Sequence, residues 1–126
     1  MKVFSEEELQ LVNIHIGLSI KLDRLKKELS QLDFADTVET SNTAIGRIER
    51  AEHYSSWDKV LILSQHLDLN FSSLFLVKAK DDLLNLVDEC YKLEDKLTKE
   101  KKKYYTDLRK RIELLHKKIA VNNKSK

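Results

Sequence analysis

Two short helical patterns meet in residues 29–50, LSQLDFADTVETSNTAIGRIER. The first pattern covers residues 31–38, and the second begins at Ser41, which is a favourable N-cap, and continues to about residue 50. Five apolar side chains lie at helical spacing and are predicted to hold the two helices together: Phe34, Ala35, Val38, Ile45 and Ile48. The sequence therefore predicts a helix, a turn and a second helix whose opposite side faces outward.

The rest of the 126-residue chain is also typical of helices. It contains 2 Gly and no Pro, and the tight turns of β-proteins depend on these residues. A β-sandwich or a barrel is therefore not expected, and an all-α fold is predicted. Neither Gly17 nor Gly46 has the neighbouring glycines that a phosphate-binding loop requires.

Further helices are predicted on both sides of this stretch, which makes a five-helix domain over residues 1–78. Ser5 and Glu8 form a capping-box pattern at the start of the first helix, and Ser55 and Asn70 begin the last two. The first helix has two adjacent apolar rows: Leu11, Ile14, Leu18, Leu22, Leu25 and Leu29 in one, and Leu9, Val12, Ile16 and Ile20 in the other. We expect the extra row to pack on the same domain, with a partner chain as the alternative. Trp57, Phe71 and Phe75 are expected in the core.

Residues 79–121 have a different pattern, in which apolar residues recur at steps of three and four. A lysine-rich stretch at residues 98–103 interrupts this pattern. Either a coiled coil that pairs two chains or a hairpin of two helices accounts for it, and we assign its apolar seam to dimerisation. The seam residues are Leu83, Leu86, Cys90, Leu93, Leu97, Tyr104, Leu108, Ile112 and Leu115. Residues 122–126 are predicted to form a flexible tail.

The order of residues from about 16 to 75 resembles the Cro/phage-repressor helix-turn-helix family, often called the XRE family. The motif that carries this resemblance is Leu29-Ser30-Gln31, Phe34-Ala35, Val38 and Ser41 to Glu49, followed by Leu61, Leu63, Leu67, Leu69 and Leu74-Phe75. The resemblance implies a DNA-binding domain whose second short helix enters the major groove. The chain departs from the family where glycine is common, at Glu28, Glu39 and Ala51, and where proline is common, at Ser55.

The resemblance also implies which residues contact DNA. Three residues match positions that contact base edges: Asn42, Thr43 and Arg47. Asn is suited to adenine, Arg to guanine and the Thr methyl group to thymine. Three others match positions near phosphates: Gln31, Arg50 and His53. Glu49 matches an acidic position with a structural role.

The charge of the chain is unevenly distributed. Residues 1–75 contain 8 Lys and Arg against 12 Asp and Glu, whereas residues 76–126 contain 15 against 9. DNA binding needs cations at the phosphates, and we expect a local strip to supply them: Lys21, Lys26, Lys27, Arg47 and Arg50. The lysines of residues 99–103 are interpreted either as a solvated helix surface or as a contact with phosphate or a partner.

The resemblance, together with the predicted seam, implies a sequence-specific double-stranded DNA-binding transcriptional regulator that acts as a homodimer on a near-palindromic operator. The alternatives are a structural or adaptor protein that acts through its coiled coil without binding DNA, and an antitoxin-type component of a bacterial or phage module. No metal is expected, because the four His residues and Cys90 lack metal-ligand spacing. No catalytic site or cofactor is expected either, because nothing pairs the acidic residues between Glu6 and Asp33 with a nucleophile or base. The acidic start has no apolar segment, so we expect a cytoplasmic protein without a membrane partner, whose C-terminal helix is a possible protein-binding surface.

Overall fold

The computed structural model describes residues 3–124, and all the regular secondary structure in this part of the chain is helical. The elements are α1 (Glu6–Lys26), α2 (Gln31–Thr37), α3 (Asn42–Glu49), α4 (Trp57–His66), a 3-10 helix (Phe71–Leu74), α5 (Lys80–Leu93) and α6 (Lys99–Lys124). The prediction of an all-α fold is confirmed. The fifth predicted helix of residues 1–78 is a single 3-10 turn rather than an α-helix.

Hydroxyl side chains define where the first three helices begin. At α1 the capping box is present, because the Glu8 backbone N–H donates to Ser5 Oγ and the Ser5 N–H donates to Glu8 Oε1, both at 3.1 Å. Ser30 and Ser41 cap α2 and α3 in the same way. The N-cap of α4 is Ser56, one residue after the predicted position.

Four consecutive helices end on a residue in the left-handed backbone conformation. Glu28, Glu39, Ala51 and Asp68 have φ between 53° and 58°. In each case the following N–H donates to a carbonyl five residues back, as from Leu29 to Arg24 and from Thr40 to Ala35. Three of these residues stand where glycine was expected, and the structure shows that they adopt the conformation that glycine favours.

Helix α1 lies between two hydrophobic clusters. Its first apolar row packs with α5 and α6 in a cluster that includes Leu11, Ile14, Leu18, Leu22, Leu83, Val87, Cys90, Tyr105, Leu108, Ile112 and Leu115. Its second row packs with α2, α3, α4 and the 3-10 helix in a cluster that includes Ile16, Ile20, Phe34, Ala35, Ile45, Ile48, Val60, Leu63, Leu67 and Leu74. The chain itself therefore covers both apolar rows of α1 except at Leu9, which is 43% exposed. Leu29, predicted in the first row, lies beyond α1 and packs on the second cluster.

Gly17 allows α1 and α3 to approach closely. A Cβ atom at this position would lie 2.6 Å from the carbonyl oxygen of Ile48 and 2.7 Å from that of Glu49. These oxygens belong to the last turn of α3, so a side chain at residue 17 would push the two helices apart.

The C-terminal region is a hairpin of two helices that packs on α1, which corrects the assignment of its seam to dimerisation. Leu83, Cys90, Leu108, Ile112 and Leu115 are buried against α1, while Leu86 and Tyr104 pack on the same cluster at its edge. Leu93 is exposed and Leu97 is half-buried. The first apolar row of α1 supplies the partner surface, and the buried seam residues have no surface left for a second chain.

The predicted boundary between residues 78 and 79 falls just before α5, but α1 contributes to the core on both sides of it. Residues 122–124 of the predicted tail continue α6, whereas residues 1, 2, 125 and 126 lie outside the described part of the chain. Between residues 3 and 124, no helix has both the length and the apolar character needed to cross a bilayer.

Candidate nucleic-acid interface

Helices α2 and α3 present one buried and one exposed side. Phe34 and Ala35 of α2 are buried together with Ile45 and Ile48 of α3, as the apolar spacing predicts. Residues 38–41 connect the two helices. The other side of α3 faces solvent from its first residue onward.

The three residues predicted to contact base edges lie on this exposed side. Asn42 and Thr43 occupy the first turn of α3, and Arg47 follows one turn later. Within residues 3–124, the Arg47 guanidinium forms no ion pair with a carboxylate, and its charge acts on Glu52 at longer range. The structure therefore brings a carboxamide, a hydroxyl with its methyl group, and a guanidinium to one solvent-facing surface.

Arg50, a predicted phosphate contact, is exposed but engaged in local contacts. Its Nε donates to Glu52 Oε1 at 2.8 Å, and Nη1 lies 2.8 Å from the position of a Cβ on Gly46. The absence of a side chain at Gly46 gives the guanidinium room to lie across α3. The ion pair with Arg50 lowers the pKa of the exposed Glu52 carboxyl.

Gln31 and His53, the other predicted phosphate contacts, lie at the two flanks of α3. The Gln31 amide donates to Glu49 Oε1 at 3.0 Å and retains a second N–H. The His53 side chain is exposed, while its backbone carbonyl accepts a hydrogen bond from Asn13 Nδ2 at 3.0 Å. The carboxamide oxygen of buried Asn13 also accepts from the Ser55 N–H at 3.4 Å, so α1 holds this loop in place.

A buried ion pair, which the sequence interpretation missed, joins α1 to α3. Arg24 Nε and Nη2 donate to the two oxygens of Glu49 at 2.7 and 2.9 Å, and Arg24 Nη1 donates to the Leu29 carbonyl at 2.7 Å. The Glu49 side chain is about as buried as a core residue, at 2% exposure. A signal was present in the sequence, because Arg24 continues the row of Ile16 and Ile20 at a step of four. A cation in such a row requires a buried anion.

The expected positive strip is incomplete. Lys21 is only 8% exposed, and its Nζ lies 3.7 Å from Glu94 Oε2 and 4.6 Å from the centre of the Tyr105 ring. Burial lowers the pKa of Lys21, and Glu94 partly offsets this effect. Lys27, the C-cap of α1, pairs with Asp23 one turn earlier. Lys21 is therefore a structural contact between α1 and the hairpin and is not available to a phosphate.

A cleft of about 850 Å³ separates the start of α2 from the turn between α5 and α6. Its lining includes Ser30 and Gln31 on one side and Glu94, Lys101 and Tyr104 on the other, with Arg50 at the end of α3. Burial raises the pKa of the Tyr104 hydroxyl to about 12. The cleft places the first turn of α6 beside the helices that carry the predicted DNA contacts.

Comparisons of this chain with protein-family models, with curated proteins and with solved structures find no significant match.

In the described part of the chain, no three metal-ligating side chains come together. Cys90 is buried, and its Sγ donates to the Leu18 carbonyl at 3.7 Å. Burial raises the pKa of this thiol to about 12, which keeps it protonated and unreactive at neutral pH.

Proposed function

We propose that this protein is a sequence-specific double-stranded DNA-binding transcriptional regulator, in which α2 and α3 form a repressor-type helix-turn-helix. The supporting observation is the two-sided character of α3. Ile45, Ile48 and Glu49 anchor it to α1 and α2, while Asn42 and Arg47 stay exposed on its outer side. A rigidly held helix with polar side chains on its free face fits the major groove.

The exposed groups have the chemistry that base recognition needs. The Asn42 carboxamide can donate to and accept from adenine, and the Arg47 guanidinium can donate twice to guanine. The Thr43 methyl group can contact the thymine methyl group. Gln31, Arg50 and His53 would contact phosphates on either side and fix the orientation of α3.

We further propose that two copies bind a near-palindromic site, with their α3 helices about 34 Å apart in successive major grooves. Because the apolar seam of α5 and α6 is buried against α1, two copies of the chain would associate through exposed side chains. Trp57 is 68% exposed and Phe75 is 42% exposed, contrary to their predicted place in the core, and Ile62 and Leu76 are also exposed. Sedimentation of the full chain with and without DNA would measure this association.

The test is selection of sequences from random duplex DNA by the full chain, followed by affinity measurements on the enriched sequence. We expect Asn42→Ala and Arg47→Ala each to weaken specific binding by about 1–3 kcal/mol while the fold is unchanged. Gln65→Ala, at an exposed position of α4, is the matched control and should bind like the parent. Failure to enrich any sequence, or equal binding by the α3 variants, would contradict the proposal.

The adaptor alternative assumed a free coiled coil. Since the apolar seam of α5 and α6 packs on α1, that particular surface is not free to recruit a partner. The excess of four acidic side chains in residues 1–75 and the burial of Lys21 are the observations that still favour an adaptor.

A further inference from the structure

The exposed side of α6 carries a row of lysines. The buried side of this helix includes Leu108, Ile112 and Leu115, which pack with α1 and α5. At about 3.6 residues per turn, the opposite side carries five lysines, here called the lysine row: Lys99, Lys103, Lys110, Lys117 and Lys124. All five are exposed. Because most of them are seven residues apart, the row follows the helix axis for about 38 Å.

The protein does not neutralise the charge of the lysine row. None of its five ammonium groups forms an ion pair with a residue between 3 and 124. Helix α6 contains 10 Lys and Arg against 3 Asp and Glu. The two acidic residues closest to the row on the exposed side of the helix are Asp107 and Glu113. The row therefore keeps an excess of positive charge in solution.

The lysine row is separate from the surface of the proposed helix-turn-helix. Lys101 and Tyr104 line the cleft beside α2 and α3, and both lie on other sides of α6 than the row. Helix α1 lies between the cluster that contains α6 and the cluster that contains α3. The row therefore forms a second surface, apart from the one that would hold DNA against α3.

The composition of this second surface indicates the chemistry of its partner. Protein–protein interfaces are depleted in Lys and have an apolar centre, whereas the large apolar side chains exposed here are only Leu114 and Val121 among the described residues of α6. A helix that lies on a membrane inserts its apolar side, and the apolar side of α6 is buried against α1. Duplex DNA requires no apolar contact, because it presents one negative charge per about 1.7 Å of its axis. A row of lysines on a helix is complementary to such a continuous line of charge.

We propose that the lysine row of α6 binds the phosphate backbone of double-stranded DNA, independently of sequence and apart from α3. The row is about as long as 11 base pairs, at about 3.4 Å for each pair. Because the row is straight and the backbone winds around the duplex, we expect only some of the five lysines to contact phosphates at once. The inference goes beyond the proposed function, since it does not require α3 to recognise a sequence.

The experiment measures the affinity of the full chain for a short duplex of arbitrary sequence over a series of salt concentrations. The variant Lys110→Gln/Lys117→Gln removes two charges from the middle of the lysine row. The control Lys59→Gln/Lys92→Gln removes two charges from exposed positions of α4 and α5. A third variant, Lys110→Arg/Lys117→Arg, retains the charge of the row.

Each phosphate contact contributes about 0.9 to the slope of log affinity against log salt. We expect the Lys110/Lys117 glutamine variant to lower that slope by about 1–2, while the control and the arginine variant keep the parental slope. Circular dichroism of all variants checks that the fold is retained.

A competition experiment distinguishes DNA from an acidic protein partner. Poly-glutamate carries its charges further apart along the chain than duplex DNA, so it releases fewer counterions on binding. At equal charge concentration it should therefore displace the duplex poorly. Equal competition by poly-glutamate would indicate an acidic polypeptide as the partner and would overturn the assignment to DNA.

Failure of this inference is distinguishable from failure of the proposed function. An unchanged slope in the Lys110/Lys117 glutamine variant, or an equal loss of slope in the control, would overturn the lysine row as a DNA-binding surface. A chain that selects a sequence but shows either result overturns only this inference. A chain that selects no sequence but loses slope only in the Lys110/Lys117 glutamine variant overturns only the proposed function.

Discussion

Single residues carry local strain at the ends of the first four helices. Glu28, Glu39, Ala51 and Asp68 have positive φ, which brings the Cβ of an L-residue close to the next carbonyl oxygen. The hydrogen bonds that end each helix require this conformation. The chain thus forms glycine-type helix ends with only 2 Gly in 126 residues.

Glu28→Gly should therefore stabilise the protein. We expect the free energy of unfolding to rise by up to about 1 kcal/mol, because the strain removed exceeds the extra freedom that glycine gives the unfolded chain. Lys26→Gly is the matched control, two residues away within α1, and should lower the free energy by about 1 kcal/mol. Urea denaturation of both variants measures the difference, and a loss of stability in Glu28→Gly would show that its backbone is not strained.

At the scale of elements, the Arg24–Glu49 pair fixes the position of α3 on α1. Gln31 of α2 donates to the same carboxylate, so one buried anion connects three helices. The ion pair holds α3 on its buried side, and the exposed side of α3 remains free for the proposed DNA contact. Removing only one partner leaves an uncompensated buried charge, whereas removing both does not.

A double-mutant cycle tests this account. We expect Arg24→Met and Glu49→Leu each to lower the free energy of unfolding by about 3–5 kcal/mol, and the double variant to lose much less than the sum. Arg109→Met, which breaks an exposed pair with Asp88 on the hairpin, is a control and should change stability by less than about 1 kcal/mol. Strict additivity of the two buried changes would refute the coupling.

The sequence predicts these elements better than it predicts how they pack. The caps at Ser5, Ser30 and Ser41 and the apolar rows of α1 depend on residues close together in the chain, so their patterns identify the helices. A seam such as Leu83 to Leu115 looks the same whether its partner is a second chain or α1. Only the tertiary arrangement distinguishes these cases, and the predicted dimer seam was wrong for that reason.

In the candidate site, too, the sequence predicts what depends on residues close together in the chain but not what depends on tertiary packing. Exposure of Asn42, Thr43 and Arg47 follows from the apolar residues on the opposite face of α3, so the sequence was sufficient to predict it. The burial of Lys21 depends on Glu94 and Tyr105, which are more than 70 residues away along the chain. No local pattern signals such a contact.

At the scale of the whole molecule, two histidines lie beside the segment that joins the 3-10 helix to α5. His15 is buried, and its Nδ1, when protonated, donates to the Leu74 carbonyl at 3.0 Å. Burial lowers the pKa of His15 below its ordinary value of 6.5, the hydrogen bond with Leu74 offsets part of this effect, and nearby Lys78 adds to it. Burial and Lys80 likewise lower the pKa of His116.

Stability should therefore fall in mild acid. The unfolded chain binds protons near pH 6.5, above the lowered folded values, so protonation favours unfolding as the pH drops below that point. We expect the urea midpoint to decrease between about pH 7.5 and about pH 5.5, and His15→Asn to reduce this dependence. His66→Gln, at an exposed position of α4, should leave the dependence unchanged. An unchanged dependence in His15→Asn would show that burial of His15 does not cause the effect.

The position of α1 between both clusters has a consequence for amide hydrogen exchange. Neither the α2–α4 part nor the α5–α6 hairpin can detach without uncovering an apolar row of this helix. Amides in the middle of α1, around Ile14 to Ile20, should therefore exchange only when the whole chain opens, and they should report the global free energy of unfolding. We therefore expect the protein to unfold as one cooperative unit, although its sequence divides into an acidic and a basic half.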